Sequence, residues 1–158
     1  MALLEPGAKA PQFALPDQDG VVRALADCAG QPVVLFFYPK DATPGCTTEA
    51  CGFQDALPDF SRAGAVVFGI SILDTASKAT FARRHGLAYP LLADEDHAVC
   101  ERYGVWQEKR LYGRTFMGIA RTTYLVAPDG TVARRWDGVK VDAHAADVLA
   151  VVEGAERR

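Results

Sequence analysis

Apolar residues run unbroken through "PVVLFFY", Pro32 to Tyr38, and again through "AVVFGIS", Ala65 to Ser71. Runs of β-formers without alternation suit strands buried on both faces. Between them Ala50, Phe53, Leu57 and Phe60 recur at helical spacing, which predicts a helix from about Cys46. Pro58 is expected to end or kink it. Strand, helix and strand together span about 40 residues, the length of a right-handed parallel crossover.

The rest of the chain continues this alternation. "QFALPDQDGVVRAL" predicts a short hairpin turning at "DQDG". "DTASKATFARRHG" predicts a second helix with Gly86 as its C-cap. "YPLLAD" is expected to be a short strand and "EDHAVCERYG" a short helix. "VWQEKRLYGRTFMGIA" shows no period and reads as a long excursion, whereas "RTTYLVAPDGTVARRW" predicts a hairpin turning at "APDG". "AHAADVLAVVEGAERR" predicts a closing amphipathic helix. The expected architecture is one α/β domain over residues 1–158, a central mixed sheet flanked by helices.

Composition narrows the possible functions. Hydrophobic residues make up 49% and charged residues 23%, as in soluble globular proteins. The net charge is −3, and Arg135, Arg157 and Arg158 do not form one basic patch, so no nucleic-acid partner is expected. No apolar run approaches the roughly 18 residues of a membrane span, so no membrane partner is expected either. "MALLEPGAKAPQF" lacks the features of a signal peptide, and a cytoplasmic location is expected. Thiols there are kept reduced, so a disulfide is catalytic more often than structural. The four cysteines are Cys28, Cys46, Cys51 and Cys100.

One of them has a distinctive context. In "YPKDATPGCTTEAC", Thr43 is a good N-cap and Pro44 a good first helical residue, which puts Cys46 in the first turn. Unpaired N–H groups and the positive end of the dipole favour a thiolate there. Such a thiolate could attack a carbonyl, a disulfide or a peroxide. Carbonyl attack wants a histidine base, but His85, His97 and His144 fall at polar positions of predicted helices and are expected to be solvent-exposed. The Cys-x-x-Cys of a disulfide reductase is absent, and no four-ligand zinc spacing is visible. Peroxide attack needs donors for the peroxide oxygens and a group to resolve the sulfenic acid, for which Cys51 is a nearby candidate.

The segment resembles the active site of the peroxiredoxins, and within them the bacterioferritin-comigratory-protein or peroxiredoxin Q group. The family motif Pro-x-x-x-Thr-x-x-Cys falls on Pro39, Thr43 and Cys46. "GIARTTYLVAPDG" matches the later segment that carries the family's arginine, here Arg121, and the group's second cysteine five residues on falls on Cys51. "LLADEDHAV" and "YGVW" match as well, so the resemblance runs from about Pro6 to the final helix.

The resemblance implies a thioredoxin-like fold with an N-terminal hairpin extension, and a thiol peroxidase acting on hydrogen peroxide and organic hydroperoxides. Cys46 would be the peroxidatic cysteine. Thr43 and Arg121 would hold the peroxide, Pro39 would shield the site, and Glu49 would orient Arg121, unless it is merely an exposed first-turn carboxylate. Cys51 would condense with the sulfenic acid, and thioredoxin or a similar dithiol would reduce the disulfide. If Cys51 is only a packed residue, an external thiol would resolve the enzyme. Cys28 and Cys100 are expected to pack. No metal or organic cofactor is expected, and a monomer is. A redox relay and a general disulfide reductase are the rival functions. In a regular helix, residues five apart have Cα atoms roughly 8.7 Å apart, beyond the reach of about 7 Å for a disulfide. The reduced state is therefore expected to be helical from about residue 46, with the segment around Cys51 melting on oxidation.

Overall fold

The computed structural model describes residues 2–156. Its central sheet has five strands in the order β5-β4-β3-β8-β9. The apolar runs form its middle: β3 (Val33–Phe37) pairs in parallel with β4 (Val66–Ser71), which pairs in parallel with β5 (Leu91–Ala93). On the other side β3 pairs antiparallel with β8 (Thr122–Val126), and β8 with β9 (Val132–Asp137).

Strand alternation explains why β3 reads as continuously apolar. Val33, Leu35 and Phe37 face one core with Phe13, Phe68, Tyr103 and Tyr124. Val34 and Phe36, with Tyr38 beyond the strand end, face the other with Cys46, Phe53, Phe60 and Phe81. Both faces are covered, so no position needs to be polar.

Between β3 and β4 lies α1 (Pro44–Arg62). Ala50, Phe53 and Phe60 are fully buried, and Leu57 packs at the edge of the same cluster. Of the two outcomes expected at Pro58, an end to α1 is not what the structure shows: the helix runs through it. Pro58 sits on the exposed side, while Phe53 and Phe60 on the other side anchor the helix both before and after it. Tertiary packing here outweighs the lost backbone hydrogen bond.

The second helix, α2 (Thr75–His85), starts at Asp74, whose side chain accepts from the Ser77 amide, and ends at Gly86 in the left-handed conformation. A short α3 (Ala98–Arg102) follows β5, and α4 (His144–Glu156) lies along α1. The final two arginines of the expected closing helix lie outside the described residues. At the other end β1 (Ala14–Pro16) and β2 (Val22–Ala24) form the expected antiparallel hairpin.

The excursion before Arg121 is in fact a regular hairpin of β6 (Trp106–Leu111) and β7 (Arg114–Ile119). Most of its residues are exposed or half-exposed, with only Ile119 buried. A ribbon held by backbone hydrogen bonds and wet on both faces has no apolar alternation to read. No helix among the described residues is long and apolar enough to cross a membrane.

Candidate active site

Strand β3 ends at Phe37, and the turn from Tyr38 to Thr43 delivers the chain to the start of α1. Ala42 adopts the left-handed conformation, with φ 67°. A buried polar cluster ties this turn down. The Tyr38 hydroxyl donates to Asp41 Oδ1 at 2.5 Å and the Ser77 hydroxyl to Asp41 Oδ2 at 2.8 Å. Lys78 of α2, fully buried, reaches Asp41 at 3.3 Å and donates to the Ser71 hydroxyl at 2.6 Å. Burial holds the Lys78 ammonium below the usual lysine range, although Asp41 pulls it back up. None of these residues except Tyr38 and Asp41 lies in the motif segment, and the sequence reading missed the cluster.

Thr43 is the N-cap residue of α1, and Pro44 is its first helical residue. The Thr43 carbonyl accepts the first helical bond, from the Thr47 amide. Its hydroxyl does not cap the helix; it donates to the Lys40 carbonyl at 2.9 Å. Cys46 is fully buried in the first turn. Pro39 is half-buried in the turn before it.

Arg121 approaches from the chain just before β8. Its Nη2 donates to Cys46 Sγ at 3.3 Å, and its Nη1 donates to Glu49 Oε1 at 2.6 Å. One planar guanidinium thus spans two residues of α1 three positions apart, on one side of the helix. Gly45 makes room: a Cβ there would lie 3.3 Å from Arg121 Nη2. The structure therefore brings Cys46, Glu49 and Arg121 together, with Thr43 and Pro39 on the adjoining turn.

Glu49 is not an exposed first-turn carboxylate; it is 1% exposed. Burial pushes its carboxyl up to about 7, outweighing the pull of the Arg121 charge and hydrogen bond. Its second oxygen, Oε2, has no hydrogen-bond partner among the described residues and lies 3.9 Å from His144 Nε2. His144 corrects a second expectation. It opens α4, is 4% exposed, and its Nε2 is 2.8 Å from the buried Thr123 hydroxyl. Phe53 and Trp136 close around it edge-on. Burial holds this imidazole down at about 4. His85 and His97 are half-exposed, the first edge-on to Phe81 and the second stacked on Trp106. Nothing in the local sequence distinguishes His144 from them; its burial depends on α4 docking on α1.

Cys51 lies one and a half turns further along α1, half-buried on a groove of about 630 Å³ between α1 and α4. Burial and the neighbouring Asp55 raise its thiol. All four cysteines are free. Cys46 and Cys51 lie in one continuous helix that begins at Pro44. Cys28 and Cys100 are packed in the other core, away from the site.

The assembly has close relatives in sequence and shape. The model of the AhpC/TSA family matches residues 6–135. The chain belongs to this family, within its Bcp or peroxiredoxin Q group. It is 46% identical to the putative peroxiredoxin bcp of Coxiella burnetii, over 92% of this chain and 97% of that protein. It is 45% identical to peroxiredoxin Bcp of Escherichia coli K12, over 89% and 90%. Among solved structures, Xanthomonas campestris peroxiredoxin Q superposes with a TM-score of 0.88 at 40% identity, covering 98% of this chain and 97% of that one. The architecture is accordingly a thioredoxin-like fold with its N-terminal hairpin extension, and the chain is a thiol-dependent peroxidase that takes peroxide as substrate and a thiol as reductant.

Proposed function

We propose that Cys46 is the peroxidatic cysteine of this enzyme. The contact that carries the reading is Arg121 Nη2 on Cys46 Sγ at 3.3 Å, with the same guanidinium held by Glu49 at 2.6 Å. A cation donating to sulfur stabilises the thiolate, the nucleophilic form. The thiolate attacks one oxygen of hydrogen peroxide or an organic hydroperoxide. The O–O bond breaks, its electron pair leaves with the departing hydroxide or alkoxide, and that oxygen takes up a proton. Sulfur is oxidised to Cys46–SOH. Charge moves from sulfur to oxygen in this step, so Arg121, already placed, donates to the departing oxygen. Thr43 turns its hydroxyl from the Lys40 carbonyl to the bound peroxide, and Pro39 limits water at the sulfur.

Cys51 then attacks the sulfenic sulfur, water leaves, and an intramolecular Cys46–Cys51 disulfide forms. Thioredoxin or a similar dithiol reduces it by exchange. The cycle suits the reducing cytoplasm, and the enzyme acts as a monomer: Cys46, Glu49, Arg121 and Cys51 all come from one chain.

Oxidation followed by mass spectrometry tests the assignment. One equivalent of peroxide should remove two hydrogens from the wild-type chain and leave Cys46→Ser unchanged. Peroxide consumption with thioredoxin, its reductase and NADPH should continue for many turnovers and stop in Cys46→Ser. Substantial turnover in that variant would mean another thiol is the nucleophile. Insulin reduction without peroxide would favour a disulfide reductase instead.

A further inference from the structure

Glu49 Oε1 is used twice over, as a charge and as an acceptor for Arg121, whereas Glu49 Oε2 is unused. A carboxylate oxygen sealed from water with no donor is uncommon, because its lost hydration is not replaced. The group that faces it is the His144 imidazole, 3.9 Å away. That distance is about 1 Å too long for a hydrogen bond. The same nitrogen sits 2.8 Å from the Thr123 hydroxyl, on the strand that Arg121 leads into. Cys46, Arg121, Glu49, His144 and Thr123 thus form one line from the sulfur to the start of α4.

We propose that His144 is a positioning residue for peroxide reduction: its Nε2–H closes on Glu49 Oε2, keeps Glu49 a carboxylate, and so holds Arg121 on the reacting sulfur. The step needs no new chemistry. In the tautomer with its proton on Nε2, the imidazole turns that N–H toward Oε2, and the Thr123 hydroxyl stays as the neighbour that limits the swing. No covalent bond changes. The inference rests on the assignment of Cys46, Arg121 and Glu49 made above.

Other charged groups around His144 define what else could titrate there. Asp147 lies on its own helix, and burial and Arg121 both disfavour an imidazolium while Asp147 favours it. Across the groove α1 presents Asp55 and Asp59, and the preceding loop presents Asp142. Glu49 alone among these is buried against the ring.

The test is the second-order rate of Cys46 oxidation by peroxide, followed by stopped-flow fluorescence from pH 5 to 9. His144→Leu removes the donor and should slow oxidation about 10-fold at pH 7. It should also move the acid limb of the profile to higher pH, because a hydrogen bond to the charged form is lost. His144→Gln carries an N–H at nearly the same reach and should recover most of the rate. In a Glu49→Gln background, His144→Leu should have no further effect. An unchanged rate and profile in both His144 variants would overturn the proposal. So would an equal loss with and without Glu49, which would make His144 a packing residue only. If His144→Leu does not fold, His144→Ala, which also lacks the donor, takes its place in every comparison, with and without Glu49→Gln. Failure here is distinct from failure of the Cys46 assignment. In the first case Cys46 is still oxidised at its normal rate; in the second it is not oxidised at all.

Discussion

Arg121 touches a sulfur and a carboxylate at once because its two terminal nitrogens point along one fork. Lysine offers one compact ammonium in place of two terminal nitrogens and lacks the planar fork that fits both contacts. Arg121→Lys should therefore keep the charge and lose the geometry. Removing one preorganised donor from a site of developing negative charge costs about 3 kcal/mol, or roughly 100-fold. The expected result is a fall of that order in the rate of Cys46 oxidation, with stability nearly unchanged because Arg121 is part-exposed. A lysine variant within a few-fold of wild type would mean that charge alone is enough. The place of Cys46 in a first helical turn was legible from Thr43 and Pro44 beside it, because a helix start announces itself locally, whereas Pro39 entered only through the family motif. Glu49 was only half legible. A glutamate in a first turn is normally solvated, and here its burial depends on Arg121, 72 positions away. His144 was not legible at all: its surroundings come from α1, β8 and β9.

At the scale of elements, the proposed cycle asks α1 to be rigid enough to place Cys46 and loose enough to let Cys51 reach it. As a continuous helix over Pro44–Arg62 it keeps the two Cα atoms too far apart for a disulfide. Two side chains hold it shut near Cys51. The Tyr89 hydroxyl donates to the Ala50 carbonyl at 2.7 Å, and Gln54 accepts from the Ala88 amide at 2.7 Å. Gly52 works the other way, since glycine costs about 1 kcal/mol relative to alanine inside a helix. Its position is helical and has room: an added Cβ would meet Ala145 Cβ at 3.6 Å, an ordinary contact. Gly52→Ala should thus reduce the opened population about five-fold. The disulfide should form more slowly, and excess peroxide should drive more Cys46 to sulfinic acid. Tyr89→Phe should do the reverse, releasing the Ala50 carbonyl and speeding the disulfide. Stopped-flow kinetics with mass spectrometry of the overoxidised fraction reads both. Equal disulfide rates in all three proteins would show that opening of α1 does not limit resolution. The sequence marked this helix by its apolar stripe and the central strands by their unbroken runs. It hid the β6–β7 hairpin because a ribbon without a buried face leaves no pattern, and it left open whether α1 ends at Pro58 because packing on Phe53 and Phe60 is not a local property.

For the molecule as a whole, the buried Glu49 and His144 act on stability with opposite signs. In the resting geometry, with Oε2 unpaired, Glu49 is raised from 4.5 to about 7 on folding, so the folded chain holds a proton there that the unfolded chain has released. Its contribution is fully present below pH 4.5 and is lost as pH rises to about 7. His144 is lowered from 6.5 to about 4, so the unfolded chain holds the extra proton. Its contribution is present above pH 6.5 and is lost as pH falls to about 4. Each shift corresponds to about 3 kcal/mol. Between pH 4.5 and 6.5 the two slopes cancel, and the pair leaves the stability of the wild-type chain flat in this window. Removing one partner exposes the other. His144→Gln should lose stability relative to wild type as pH rises from 4.5 to 6.5, by about 3 kcal/mol over the full transition. Glu49→Gln should lose it relative to wild type as pH falls over the same range. Urea unfolding of the three proteins at pH 4.5, 5.5 and 6.5 measures this as diverging differences, since every other titrating group is common to all. Parallel curves would mean that neither group is shifted on folding. Diverging curves would show a pair whose charges are set by burial, and that pair stands directly behind the arginine that contacts Cys46.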